Sequence, residues 1–142
     1  MFRIPKLCVL LLLASGNALA CKCPQTSLTE KLQDASIAFV GSTDADPTLE
    51  RKDGEPIPFV VSRPLKGNVT KGATISVDPS FNSDCAAPFV RGVQLLVFAY
   101  GRAGEPPKVV ACSIRTVEPI SIDGELLQPS SDVAEFLRSV SN

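Results

Sequence analysis

Cys21-Lys22-Cys23 puts two cysteines one residue apart near the start of the chain, and only Cys85 and Cys112 follow them. A fifth, Cys8, lies ahead of them in the N-terminal leader, and the four that remain allow three pairings, of which a Cys21–Cys23 bridge would close a tiny strained ring. The favoured pairings therefore each join one N-terminal cysteine to one distant cysteine, which leaves two connectivities open. Either one ties the head of the domain to two remote points of the fold. Loops this long contribute at most about 4–5 kcal/mol each in the chain-entropy model. A four-thiolate zinc site would need reduced cysteines in two close pairs, whereas Cys85 and Cys112 stand alone.

Disulfides require an oxidising compartment, and the first twenty residues read as the address. Arg3 and Lys6 form a basic n-region, Leu7 to Ala14 an apolar h-region, and Ser15 to Ala20 a small-residue c-region ending in the A-x-A site Ala18-Leu19-Ala20. The apolar run is well short of the roughly 20 residues that span a bilayer. Residues 1–20 are thus expected to be a cleaved signal peptide and residues 21–142 a single domain, secreted or, in a bacterium, periplasmic. A second reading is lipoprotein processing, with a lipid on Cys21; the residue three before the cut is then usually Leu, and here it is Ala18.

The leader holds two basic and no acidic residues of the 14 and 15 in the whole chain, so the mature domain carries a formal charge of −3. That balance argues against a nucleic-acid partner, and against a membrane partner unless Cys21 is lipidated. The chain has no histidine. Imidazole-based nucleophilic triads, His-ligated zinc hydrolase sites and general acid–base work near neutral pH are therefore removed from the menu, and an enzyme is not expected. Asp44 and Asp46, like Asp53 and Glu55, lie in polar loop sequence and read as solvated. Neither a cofactor nor a metal bound by the chain alone is expected.

Ser27 to Asp34 predicts a short helix, with Leu28 and Leu32 on one face and Thr26 or Ser27 as N-cap. Ala35–Ser42, Phe59–Leu65, Ala73–Val77, Val93–Tyr100 and Val109–Thr116 are rich in Val, Ile, Phe and Thr and predict five strands. Val93 to Phe98 is the most continuously apolar and should cross the core. A closing helix is predicted from Ser130 to Arg138, with Glu135 placed for a capping box and Val133, Phe136 and Leu137 on its inner face. Five strands, two short helices and no βαβ alternation predict a mainly β fold, a five-stranded Greek-key barrel of the OB type.

Signal cleavage would also expose a free α-amine on Cys21. An α-amine, with an ordinary pKa of about 8, and the carbonyl oxygen of the same residue can close a five-membered chelate on a transition metal.

The C-x-C start, the short helix, Phe39-Val40-Gly41, Leu65-Lys66-Gly67, Cys85 before a Val/Leu/Phe strand and Ala111-Cys112-Ser113 together resemble the inhibitory N-terminal domain of tissue inhibitors of metalloproteinases, within the netrin-like (NTR) family. The resemblance spans nearly all of residues 21–142. It implies an OB barrel, disulfides Cys21–Cys85 and Cys23–Cys112, and a monomeric inhibitor whose partner is a zinc metalloproteinase. It also implies that the amine and carbonyl of Cys21 chelate the protease zinc, that Lys22 enters the specificity pocket with Cys23 and Pro24 beside it, and that Ser83, Asp84 and Cys85 form a second part of the wedge. Rim contacts would come from near Ser42 and Thr43. Lys22 stands where vertebrate members carry a small hydroxyl residue, and the vertebrate C-terminal domain and third N-domain disulfide have no counterpart, so the resemblance implies a minimal, inhibitory-domain-only member. The alternative reading is a non-inhibitory extracellular netrin-like binding module, lipid-anchored if Cys21 is acylated, in which the C-x-C motif only staples the terminus. Asn68-Val69-Thr70 is a glycosylation sequon in a predicted turn.

Overall fold

A computed structural model describes residues 23–46, 55–79, 89–122 and 124–141. It is mainly β. The order is α1 (Leu28–Asp34), β1 (Ile37–Ser42), β2 (Ile57–Lys66), β3 (Thr74–Val77), β4 (Leu95–Ala99), a 3₁₀ turn (Ala111–Ser113), β5 (Ile114–Thr116), β6 (Ile120–Ile122), β7 (Glu125–Leu127) and α2 (Ser131–Ser139). Five strands form one antiparallel sheet in the order β3-β2-β1-β4-β5, and β6 and β7 pair separately.

Burial along the strands records what covers each one. All of β4 is buried, because Leu95, Val97 and Ala99 enter one core while Leu96 and Phe98 enter another. A strand covered on both faces reads as a continuous apolar run, as β4 does. The first half of β2 alternates instead: Ile57, Phe59 and Val61 are buried, and Pro58 and Val60 are exposed. Water lies on one side of it.

The inner core gathers Phe39, Ile57, Phe59, Val61, Val77, Val97 and Val109 among others, with the Phe39 and Phe59 rings in edge contact at 6.0 Å. The second core lies between the sheet and the helices. Leu28 of α1 and Val133 and Phe136 of α2 pack there on Ala38, Val40, Leu96 and Phe98, and the Phe98 and Phe136 rings are 5.9 Å apart.

The register shift between Val40 and Gly41 brings β2 close to β1. A Cβ on Gly41 would lie 2.6 Å from the Val60 carbonyl oxygen, so this position admits no side chain without moving the strands. Beyond β4, Lys108 exchanges both backbone hydrogen bonds with Tyr100, at 2.9 and 2.6 Å. On its other side the same segment is bonded to the end of β3: Asp78 N–H donates to Pro107 O and Val109 N–H to Asp78 O, both at 2.8 Å.

Several boundaries differ from the sequence reading. The fifth predicted strand, Val109–Thr116, is a strand only from Ile114; Ala111–Ser113 turns as a 3₁₀ helix around Cys112. The first begins at Ile37 rather than Ala35, because Ala35 still closes α1 by donating to Lys31 O. The β6–β7 hairpin was not expected, although Asp123-Gly124 between two apolar pairs is a hairpin signal. The predicted capping box of α2 does not form: the N-cap is Ser130, without a side-chain bond, which puts Glu135 two positions beyond the reach of such a box. Among the described residues no helix is long and apolar enough to cross a membrane.

Candidate functional site

Cys23 is bonded to Cys112 across 89 residues of sequence, with a Cα–Cα distance of 5.4 Å. This is one of the two pairings the resemblance implies. The other, Cys21–Cys85, lies outside the described residues, as do Lys22, Ser83 and Asp84.

Cys23 and Pro24 are exposed, and the chain is then fixed step by step into α1. Thr26 N–H donates to Pro24 O at 2.8 Å, a tight turn that directs the backbone towards Ser27. Ser27 caps α1 in a reciprocal box: Glu30 N–H donates to Ser27 Oγ at 3.2 Å, and Ser27 N–H donates to Glu30 Oε2 at 2.8 Å. These bonds favour the charged carboxylate and hold Glu30 below its ordinary pKa, the backbone bond contributing most.

The other end of α1 is held by Lys66, whose ammonium donates to Leu32 O at 2.9 Å and Gln33 O at 2.6 Å. A cation on the last carbonyls of a helix satisfies orphan acceptors and complements the helix dipole. Gly67 follows with φ +84°, and a Cβ there would meet Ser36 O and Ile37 Cγ2, each at 2.8 Å. The Lys66-Gly67 pair therefore has a structural role, docking the α1–β1 turn on the end of β2. Arg63, three residues earlier, does the same for α2, donating to Leu137 O at 2.8 Å and Ser141 Oγ at 2.6 Å.

On the Cys112 side, Ser113 N–H donates to Val110 O at 2.8 Å, and Arg115 Nη1 donates to Cys112 O at 3.3 Å and Ile114 O at 2.9 Å. A cleft of about 410 Å³ opens between this segment and the Pro24–Thr26 turn, with Lys31 of α1 and Tyr100 also lining it. Lys31 is only 6% exposed. Burial, and after it the neighbouring Arg115 charge, push the ammonium below the ordinary lysine pKa. The sequence reading passed over this residue. The signal was present: Leu28, Lys31, Leu32 and Ala35 occupy the i, i+3, i+4, i+7 stripe that faces a core.

Thr43, expected near the rim, is 1% exposed and turned inward. Its Oγ1 accepts from Ala45 N–H at 3.1 Å and its carbonyl accepts from Gly92 N–H at 2.8 Å, so it offers no side chain to a partner. Ser42 is half-buried at the end of β1. No group of three metal-ligating side chains occurs among the described residues. Comparison of the chain with protein-family models, with curated proteins and with solved structures finds no match in any of the three.

Proposed function

We propose that this chain is a secreted inhibitor of zinc metalloproteinases, built on a five-stranded OB barrel and acting through its mature N-terminus. In this reading the α-amine and carbonyl oxygen of Cys21 chelate the protease zinc and displace its water. The amine must be unblocked and unprotonated to bind. Lys22 enters the specificity pocket, Cys23 and Pro24 line its entrance, and Ser83, Asp84 and Cys85 form the second part of the wedge. A lysine is costly in a dry apolar pocket, so the target is a protease whose pocket is acidic or open to water.

The observation that carries the reading is the Cys23–Cys112 bond, followed without a break by the Pro24–Thr26 turn and the Ser27–Glu30 box. Cys21 is two residues from that covalent anchor. An inhibitor that presents a pre-ordered backbone loses little conformational entropy on binding, and more of the contact energy survives as affinity. The barrel is supported by the strand order, with β1 between β2 and β4, and by the 107–109 segment bonded to both Asp78 and Tyr100. A disulfide suits the extracellular location the reading requires.

The test adds one alanine ahead of Cys21, which keeps the fold but removes the amine from chelating distance. Loss of inhibition is expected, and unchanged potency would refute the reading in favour of a binding module. Mass spectrometry of the native N-terminus should find an unmodified cysteine; acyl chains on Cys21 would establish the lipoprotein instead.

A further inference from the structure

Lys31 and Ser113 are both more than nine-tenths buried, at 6% and 2% exposure, and both line the cleft beside the Cys23–Cys112 bond. Among the described residues neither side chain has a hydrogen-bond or ion-pair partner, and the charge acting on Lys31 is the like charge of Arg115. Buried ammonium groups normally have a counter-ion, and buried hydroxyls a hydrogen-bond partner. Asp34 lines the same cleft, but it is exposed and forms no ion pair with Lys31. Pro24, Tyr100 and Val110 supply an apolar wall. A mostly apolar cleft of this size with a few convergent polar groups has the form of a small-molecule site, open to solvent on one side.

We propose that this cleft binds a small monocarboxylate with a short apolar body, the carboxylate bonded to the Lys31 ammonium and the Ser113 hydroxyl and the body lying against Pro24, Tyr100 and Val110. The site shares Pro24 with the proposed protease contact but does not rest on that reading, since neither Lys31 nor Ser113 takes part in it. A carboxylate supplies the missing counter-charge, and a charge-assisted hydrogen bond is the strongest contact available there. Asp34 at the cleft disfavours a second negative charge on the ligand.

Hexanoate is the probe, with hexanol as the neutral control of equal length. In amide-resolved NMR of the native protein, hexanoate should shift the Lys31, Tyr100 and Ser113 resonances saturably while hexanol does not. Lys31→Met should weaken hexanoate binding about tenfold or more, and Ser113→Ala by a smaller factor of about three. Absence of a saturable shift at these amides would overturn the proposal. Equal binding of hexanoate and hexanol, or unaltered hexanoate binding by a Lys31→Met protein that keeps its dispersed spectrum, would also overturn it.

Discussion

Phe39 and Val40 are neighbours in β1, yet they enter cores held together in different ways. Phe39 points into the inner core, an all-apolar cluster contributed mostly by the strands themselves. Val40 points to the outer face, where two short helices must be kept in place. There apolar packing is supplemented by cations reaching from one strand, Lys66 to the end of α1 and Arg63 to the end of α2. The difference teaches that stability and positioning are separable in this fold. The inner core keeps the domain folded, while the outer-face caps set where α1 sits, and with it the Cys23 segment.

Phe59→Ala, on the inner face, should have the largest effect, costing about 3–5 kcal/mol in denaturant unfolding and loosening every strand together. A loss confined to β2 would break the idea of one cooperative inner core. Lys66→Met should cost less, about 1–2 kcal/mol, and hydrogen exchange should quicken in α1 while β4 stays protected. Equal acceleration in both would erase the distinction between the faces.

Lys31→Met replaces a buried, unpartnered charge with an apolar chain of similar length, and should stabilise the protein by about 1 kcal/mol at neutral pH. Because the folded state binds this proton less tightly than the unfolded chain, the wild-type penalty is complete below the lowered folded pKa. It fades as pH rises from there to the ordinary lysine value, so the gain from the variant should shrink over that window. The smallest effect is expected at Glu30, whose lowered pKa adds stability above the ordinary carboxylate value and loses it as pH falls through the folded value. Thermal unfolding of Glu30→Gln should therefore approach that of the wild type in acid and fall below it at neutral pH.

The continuous apolar run of β4 was readable from local sequence, whereas the one-sided burial of β2 was not, because Ile57 to Val61 are all apolar. The start of α1 was also readable locally, since Ser27 and Glu30 are three residues apart. Contacts formed through space were not. Lys66 lies 33 and 34 residues from the carbonyls it caps, and nothing in a single sequence links them. The 3₁₀ turn at Cys112 was hidden inside an apolar stretch that any strand would show. Thr43 reads as a polar loop residue, and only the Gly92 and Ala45 amides that converge on it explain its burial. At the site, Cys23, Pro24 and Cys112 were legible in the sequence, whereas Lys31 was legible only by its place in the stripe, because a lysine on a short helix ordinarily keeps its ammonium in water and here lies buried with Leu28 and Ala35.

The proposed chelation of a protease zinc by the Cys21 amine and carbonyl can be tested at the metal itself. In a cobalt-substituted metalloproteinase that the mature chain inhibits, binding should change the visible d–d bands as water is replaced by a nitrogen and an oxygen ligand, and the alanine-extended chain should leave them unaltered. Inhibition accompanied by unchanged bands would contradict the account.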